Sequence, residues 1–207
     1  MAETKLGELE LVYGPMFAGK SHDLVRRAHG YTAARRNHLI LSHLKDKRYT
    51  DGEEVVVTHD QRRVKCTQVA VLADYGLQST DFWDAILIDE AQFFAAADLR
   101  AFVLTALQHC HTLVVYGLDS DFRQEAWPWL AALIPLAHKT TKLTAYCTYC
   151  PNAANASART ESAMESSVDA DGMLVGGADK YEAVCNACHK RACRPLKPCE
   201  PAGKPEN

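Results

Sequence analysis

The octapeptide Gly14-Pro15-Met16-Phe17-Ala18-Gly19-Lys20-Ser21 constrains this chain more than any other stretch. It meets G-x-x-x-x-G-K-[ST] at every fixed position, and its flanks are those the pattern requires. Leu9 to Tyr13 reads as a short alternating strand before it. Ser21 to Arg36 reads as a helix after it, with Leu24, Val25 and Ala28 at helical spacing. Strand, glycine loop and helix start together make a nest of backbone N–H groups at a positive helix end, which suits a polyphosphate. Gly14 and Gly19 allow the tight turn, Lys20 can reach the β- and γ-phosphates, and the Ser21 hydroxyl can bind Mg²⁺.

The chain beyond this loop alternates strand and helix signals. Asn37 to Leu44, Val55 to Val57 and Val64 to Leu72 are strand candidates. Ala85 to Ile88 and Thr112 to Tyr116 are continuous apolar runs of the kind buried on both faces of a sheet. Ala95 to Gln108 reads as a helix, Leu130 to Ala137 as a short one interrupted by Pro135, and Lys142 to Tyr146 as a last strand. The alternation predicts an α/β fold: a mostly parallel sheet of the P-loop NTPase kind, flanked by helices, with ligands beyond the carboxyl ends of its strands.

A net charge of −3 gives no broad basic field for a nucleic-acid partner. No apolar run is long enough to span a bilayer and no signal pattern opens the chain, so the reading is of a soluble cytoplasmic protein without a membrane partner. Thiols stay reduced there, so eight cysteines point to metal more than to disulfides. Cys66 and Cys110 stand apart; the other six follow residue 146. Composition changes near Ala145, which divides the chain into an α/β domain over 1–144, a small metal-held domain over 145–190 and a proline-containing tail over 191–207. The tail lacks apolar periodicity and is expected to be disordered.

The buried run Ala85 to Ile88 ends in Asp89-Glu90. An Asp at the end of a hydrophobic strand is the usual partner of a phosphate loop, holding Mg²⁺ directly or through water. On an extended backbone the Glu90 side chain points away from that of Asp89, so one carboxylate can face metal and the other an acceptor. Glu90 can then take a proton from an alcohol during phosphoryl transfer, or polarise water for ATP hydrolysis; the pair alone does not separate these.

Cys147-x-x-Cys150 and Cys185-x-x-Cys188 have the spacing of two zinc knuckles, and four thiolates close a tetrahedral, structural Zn²⁺ site. A redox pair is the rival reading of one such motif. His189 adjoins Cys188 and is an alternative fourth ligand. The polar loop between the pairs carries Gly176-Gly177-Ala178-Asp179-Lys180-Tyr181, where two glycines let backbone approach a planar ligand closely.

These pieces, with Lys45-Asp46-Lys47-Arg48-Tyr49, Thr58-His59-Asp60, Asp89-Glu90-Ala91-Gln92-Phe93-Phe94, Gly117-Leu118-Asp119 and Lys142 to Ala145, resemble the cytosolic-type thymidine kinases from about Glu8 to Cys188. The resemblance implies transfer of the γ-phosphate of Mg-ATP to the 5′-hydroxyl of thymidine, giving dTMP for DNA synthesis by salvage. It implies Glu90 as the base. Gly14, Pro15, Met16, Phe17, Ala18, Gly19, Lys20, Ser21, Asp46, Arg48, Asp89 and Gln92 would lie around the triphosphate and Mg²⁺. Met16, Phe93, Leu118 and Phe122 would form an apolar slot for the thymine ring, and main chain near Leu174, Gly176 and Tyr181 would bind its edges. The resemblance also implies a lasso held by Zn²⁺ on Cys147, Cys150, Cys185 and Cys188, feedback by dTTP, and a homotetramer. Two slot positions depart from the family: Trp127 stands where phenylalanine is common, and Ser157 replaces the threonine of a Thr-x-Arg.

Overall fold

The computed structural model describes residues 6–45, 54–58, 60–78, 80–160, 163, 177 and 179–192. Its frame is one six-stranded sheet. The strands are β1 (Glu8–Tyr13), β2 (His38–His43), β5 (Thr67–Val69), β6 (Trp83–Ile88), β7 (Cys110–Gly117) and β8 (Lys139–Lys142), in the order β5-β2-β6-β7-β1-β8. All five pairings are parallel, with Leu11 opposite Val115, Val115 opposite Ile88 and Ile88 opposite Leu41. The expected α/β class, a mostly parallel sheet flanked by helices, is the one found.

Alternation along each strand decides what each face carries. Leu9, Leu11, Leu39, Leu41, Ile86, Ile88, Leu113 and Val115 point to one side and form the larger core with α2 (Ala96–Ala106) and α3 (Pro128–Leu133). Val12, Ile40, Leu87, Val114 and Tyr116 point to the other, against Leu24, Val25 and Ala28 of α1 (Lys20–Ala33). Strands filled on both faces leave no polar face to read, which is why Ala85–Ile88 and Thr112–Tyr116 appear as unbroken apolar runs.

Glu10 shares the α1 face of β1 with Val12 and is 8% exposed. The Arg27 guanidinium grips both its oxygens, at 2.7 and 2.9 Å, and Lys139 of β8 adds a contact at 2.9 Å. The Arg27 bonds, helped by Lys139, hold the Glu10 carboxyl down to about 2 against burial, which opposes them. Since the unfolded value of 4.5 lies higher, the pairing stabilises fully above it and is lost as pH falls from there toward 2. Acid titration of the unfolding free energy should show a component of about 1–2 kcal/mol, after solvent screening, that Glu10→Gln lacks.

Several boundaries differ from expectation. Val55 to Val57 does not join the sheet; as β3 (Val55–Val57) it pairs antiparallel with β4 (Arg63–Lys65) in a separate hairpin packed on α1. Val64 to Leu72 is broken into β4, β5 and a 3-10 turn at Leu72–Asp74. The last sheet strand runs over Lys139–Lys142, earlier than expected, and Ala145-Tyr146 (β9) pairs instead with β10 (Ala153–Ala154). Lys139–Lys142 is a mostly exposed edge without apolar alternation, so it carries no periodic signal. The helix at Leu130 starts earlier because Pro128 fits its first turn, and Pro135 ends it in a 3-10 turn.

Beyond β9 and β10, β11 (Ala156–Arg159) pairs antiparallel with β12 (Tyr181–Val184), followed by α4 (Asn186–Ala192). The apolar core here is Ala145, Ala154, Ala156, Ala158, Ala183 and Val184 around the cysteines. Alanines bury little area, so this unit depends on a staple rather than on a hydrophobic core.

Candidate active site

The site is built at the carboxyl ends of β1, β6 and β7, the edge where ligands bind in such sheets. After β1 the chain enters the glycine loop. Gly14 (φ 154°) presses on the Leu143 main chain so closely that a Cβ would lie 2.3 Å from its carbonyl oxygen, and Gly19 (φ 85°) adopts the left-handed conformation that starts α1. Both positions require glycine. The buried Lys20 ammonium arches over the loop, donating to the carbonyls of Gly14 (3.0 Å) and Pro15 (2.6 Å).

After β6 the backbone does not stay extended. Glu90 takes a left-handed conformation (φ 53°, ψ 47°), an uncommon state for a non-glycine residue that concentrates at functional sites. This corrects the expectation that Glu90 and Asp89 point apart. Both residues, buried at 5% and 2% exposure, line one cavity with the loop residues Met16 to Ser21, with His22, Val56, Val57 and Thr58, and with Leu118 and Gly177. Gln92, in the turn that follows, donates its amide to Glu90 and accepts from the Leu118 N–H at 3.0 Å. The end of β7 thereby fixes the Glu90 side chain. Leu118 is tied in turn by its carbonyl to the indole of the buried Trp129, at 2.9 Å.

A second cavity, of about 330 Å³, is lined by Gln92, Phe93, Trp127, Lys45 and Trp129 among others. His43, at the end of β2, packs its ring against Phe94 (4.8 Å between centroids) and Phe93 (5.8 Å). The expected slot residues are thus distributed: Met16 and Leu118 line the first cavity, and Phe93 and Trp127 the second. Phe122 lies beneath the Arg159 guanidinium at 3.9 Å, and Tyr181 on β12 donates its N–H to Gly177 at 3.0 Å. Ser157 meets the phosphate loop itself, accepting from the Met16 N–H at 2.9 Å, while Phe17 and Ala18 pack on the alanine-rich core. Asp46, Arg48, Leu174 and Gly176 lie outside the described residues.

Sequence reasoning missed the β3–β4 hairpin as a wall. Its Thr58 is buried, and the neighbouring Asp60 accepts from Thr58 and meets His22 of α1 at 3.1 Å. The signal available was Thr58-His59-Asp60, a polar triplet directly after a valine run.

The four predicted thiols converge. The sulfurs of Cys147, Cys150, Cys185 and Cys188 all lie within 4.8 Å of one another, brought together by the end of β9, the turn after it, the end of β12 and α4. The Cys188 backbone N–H holds the Cys185 thiol down to about 6, while burial and the neighbouring thiols push Cys188 up to about 12. Four converging sulfurs and a core too small to stand alone fit a structural metal ion. His189 is not among them: its Nε2 donates to the Phe122 carbonyl at 2.7 Å. No helix among the described residues is long and apolar enough to cross a membrane.

A family model described as thymidine kinase matches residues 7–189. The chain is 33% identical over 186 residues to "Thymidine kinase 1" of Dictyostelium discoideum, covering 88% of this chain and 78% of that one. It is 36% identical over 183 residues to "Thymidine kinase" of Myxoma virus (strain Uriarra), covering 88% and 96%. It is 33% identical over 183 residues to "Thymidine kinase, cytosolic" of Bos taurus, covering 88% and 72%. The match spans the phosphate loop, the carboxylate pair and both cysteine knuckles alike, and the chain belongs to the thymidine kinase family.

Proposed function

We infer that this protein is an ATP:thymidine 5′-phosphotransferase and that the residues gathered around the glycine loop divide the reaction between them. The observation that carries the reading is one cavity lined by both the Lys20 loop and the Glu90 carboxylate. A triphosphate cradled by the loop amides and Lys20 would present its γ-phosphorus toward Glu90. The thymidine O5′ attacks that phosphorus, the bond to the bridging oxygen breaks, ADP leaves, and the hydroxyl proton passes to Glu90. Ser21 and Asp89 would hold Mg²⁺, which neutralises charge on the β- and γ-oxygens when bound. Asp46 and Arg48 would flank the triphosphate.

Met16, Leu118, Phe93, Phe122 and Trp127 would close apolar surface on the base, with main chain at Leu174, Gly176 and Tyr181 reading its edges by hydrogen bonds. Ser157 would act through the Met16 amide. Zinc on Cys147, Cys150, Cys185 and Cys188 would anchor the lasso, and the 1–144 and 145–190 division with a separate tail follows that anchor. Feedback by dTTP, a homotetramer and a cytoplasmic location complete the proposal.

Gln92 would orient the base rather than react. Gln92→Ala should lower kcat by about 10- to 100-fold, the loss of one buried hydrogen bond to a charged group. Steady-state kinetics with each substrate varied checks this. Substrate class is tested by ADP release with thymidine, deoxyuridine and deoxycytidine in parallel. The reading predicts preference for thymidine; equal turnover of all three would make the protein a general deoxynucleoside kinase.

A further inference from the structure

The helix that carries Cys188 also holds the loop after β7. α4 reaches the loop 118–127 at two points: His189 Nε2 donates to the Phe122 carbonyl at 2.7 Å, and Gln124 donates to the Asn186 side chain at 2.8 Å. His189 is buried, at 6% exposure, and its backbone N–H is bonded to the Cys185 carbonyl at 2.8 Å. Its position is therefore set by the cysteine knuckle. Arg159 of β11 lies 3.9 Å from the centre of the Phe122 ring, nearer than the loop's own Arg123 at 5.0 Å. Loop 118–127 is anchored to the sheet at its ends, where Leu118 bonds Gln92 and Trp129 and Asp119 accepts from the Trp127 N–H (3.1 Å) and meets Lys142 (2.9 Å). Asp121 closes it on itself by accepting from the N–H groups of Arg123 (2.8 Å) and Glu125 (2.9 Å), and Gln124 occupies a left-handed conformation (φ 65°).

We propose that His189 is a positioning residue for nucleoside binding: it transmits the geometry of the cysteine cluster to Phe122, so that the metal-held unit sets the wall of the base slot directly and not only by tethering the lasso. This rests on the reading of Phe122 as part of that slot. The carbonyl of Phe122 fixes the backbone, the Arg159 stack fixes the ring, and both contacts come from the unit that holds the cysteines. A buried donor to a main-chain carbonyl at 2.7 Å orients more rigidly than an exposed pair, so the His189 contact carries more of the effect than Gln124–Asn186.

The test compares His189→Leu, His189→Gln, His189→Asn and Phe122→Ala with the wild type in the full-length chain. It measures KM for thymidine and for ATP, kcat, thymidine affinity by calorimetry, and zinc content. His189→Leu should raise the thymidine KM and Kd about 5- to 10-fold while KM for ATP and zinc content stay at wild-type values. His189→Gln, which keeps a donor at the same reach, should return the thymidine KM to within about twofold of wild type. Phe122→Ala should raise the thymidine KM at least as much as His189→Leu. An unchanged thymidine affinity in His189→Leu, with Phe122→Ala impaired, overturns the proposal and leaves the slot intact. An unchanged affinity in Phe122→Ala overturns the slot assignment and the proposal with it. Should His189→Leu lose zinc or fail to fold, His189→Asn decides, because its shorter side chain stays polar but does not reach the Phe122 carbonyl: a raised thymidine KM with full zinc supports the coupling, and an unchanged one refutes it.

Discussion

Glu90→Gln is expected to lower kcat by about 10³-fold while leaving ATP affinity within about twofold of wild type. The replacement keeps the shape of the side chain and an oxygen that the Gln92 amide can still meet, so the turn at Ala91–Phe93 need not move. What disappears is the ability to accept a proton from the 5′-hydroxyl. The triphosphate would be held by the loop amides and by Lys20, whose ammonium is seated on the Gly14 and Pro15 carbonyls. Calorimetry with a non-hydrolysable ATP analogue and single-turnover kinetics separate the two quantities. A near-normal kcat would remove Glu90 from the role of base, and lost ATP affinity would make it a structural element of the loop.

Cys147→Ser is expected to act as broadly as any single change in the molecule. A structural zinc site contributes on the order of 10 kcal/mol of apparent binding free energy, and the alanine core around it offers little to replace that. Zinc content should fall to near zero. The consequences should reach both substrates. The thymidine KM should rise about tenfold or more, because the strand pair bearing Tyr181 and Arg159 loses its anchor. ATP binding should weaken too, because Ser157 no longer steadies the Met16 amide and Phe17 and Ala18 lose the surface they pack on. Elemental analysis, thermal unfolding and kinetics check the three parts. A full equivalent of zinc in this variant would refute Cys147 as a ligand.

The features legible in the sequence are those with short-range causes. The phosphate loop is a fixed spacing with two glycines that only glycine can occupy, so its place after β1 and before α1 could be read directly. The buried strands Trp83–Ile88 and Cys110–Gly117 announce themselves by continuous apolar character, and the cysteine pairs by knuckle spacing. The features that escaped depend on long-range pairing. Edge strand β8 is held by its bonds to β1, not by its own pattern. The β3–β4 hairpin becomes a wall of the cavity only once α1 brings His22 to Asp60. Local spacing predicts an extended Glu90, whereas the turn that follows, with its Gln92–Leu118 bond, accompanies a left-handed backbone there. The partner of His189, 67 positions away on another element, has no trace in local sequence at all.

One cavity lined by the glycine loop and by Glu90 would bring a triphosphate to a sugar alcohol that the carboxylate deprotonates. Following γ-labelled ATP with and without thymidine tests it most directly. Negligible phosphate release is expected without thymidine, and with thymidine one label transferred to its 5′-oxygen for each ADP formed. ATP consumed at the same rate whether or not thymidine is present, with the label appearing as inorganic phosphate, would contradict it.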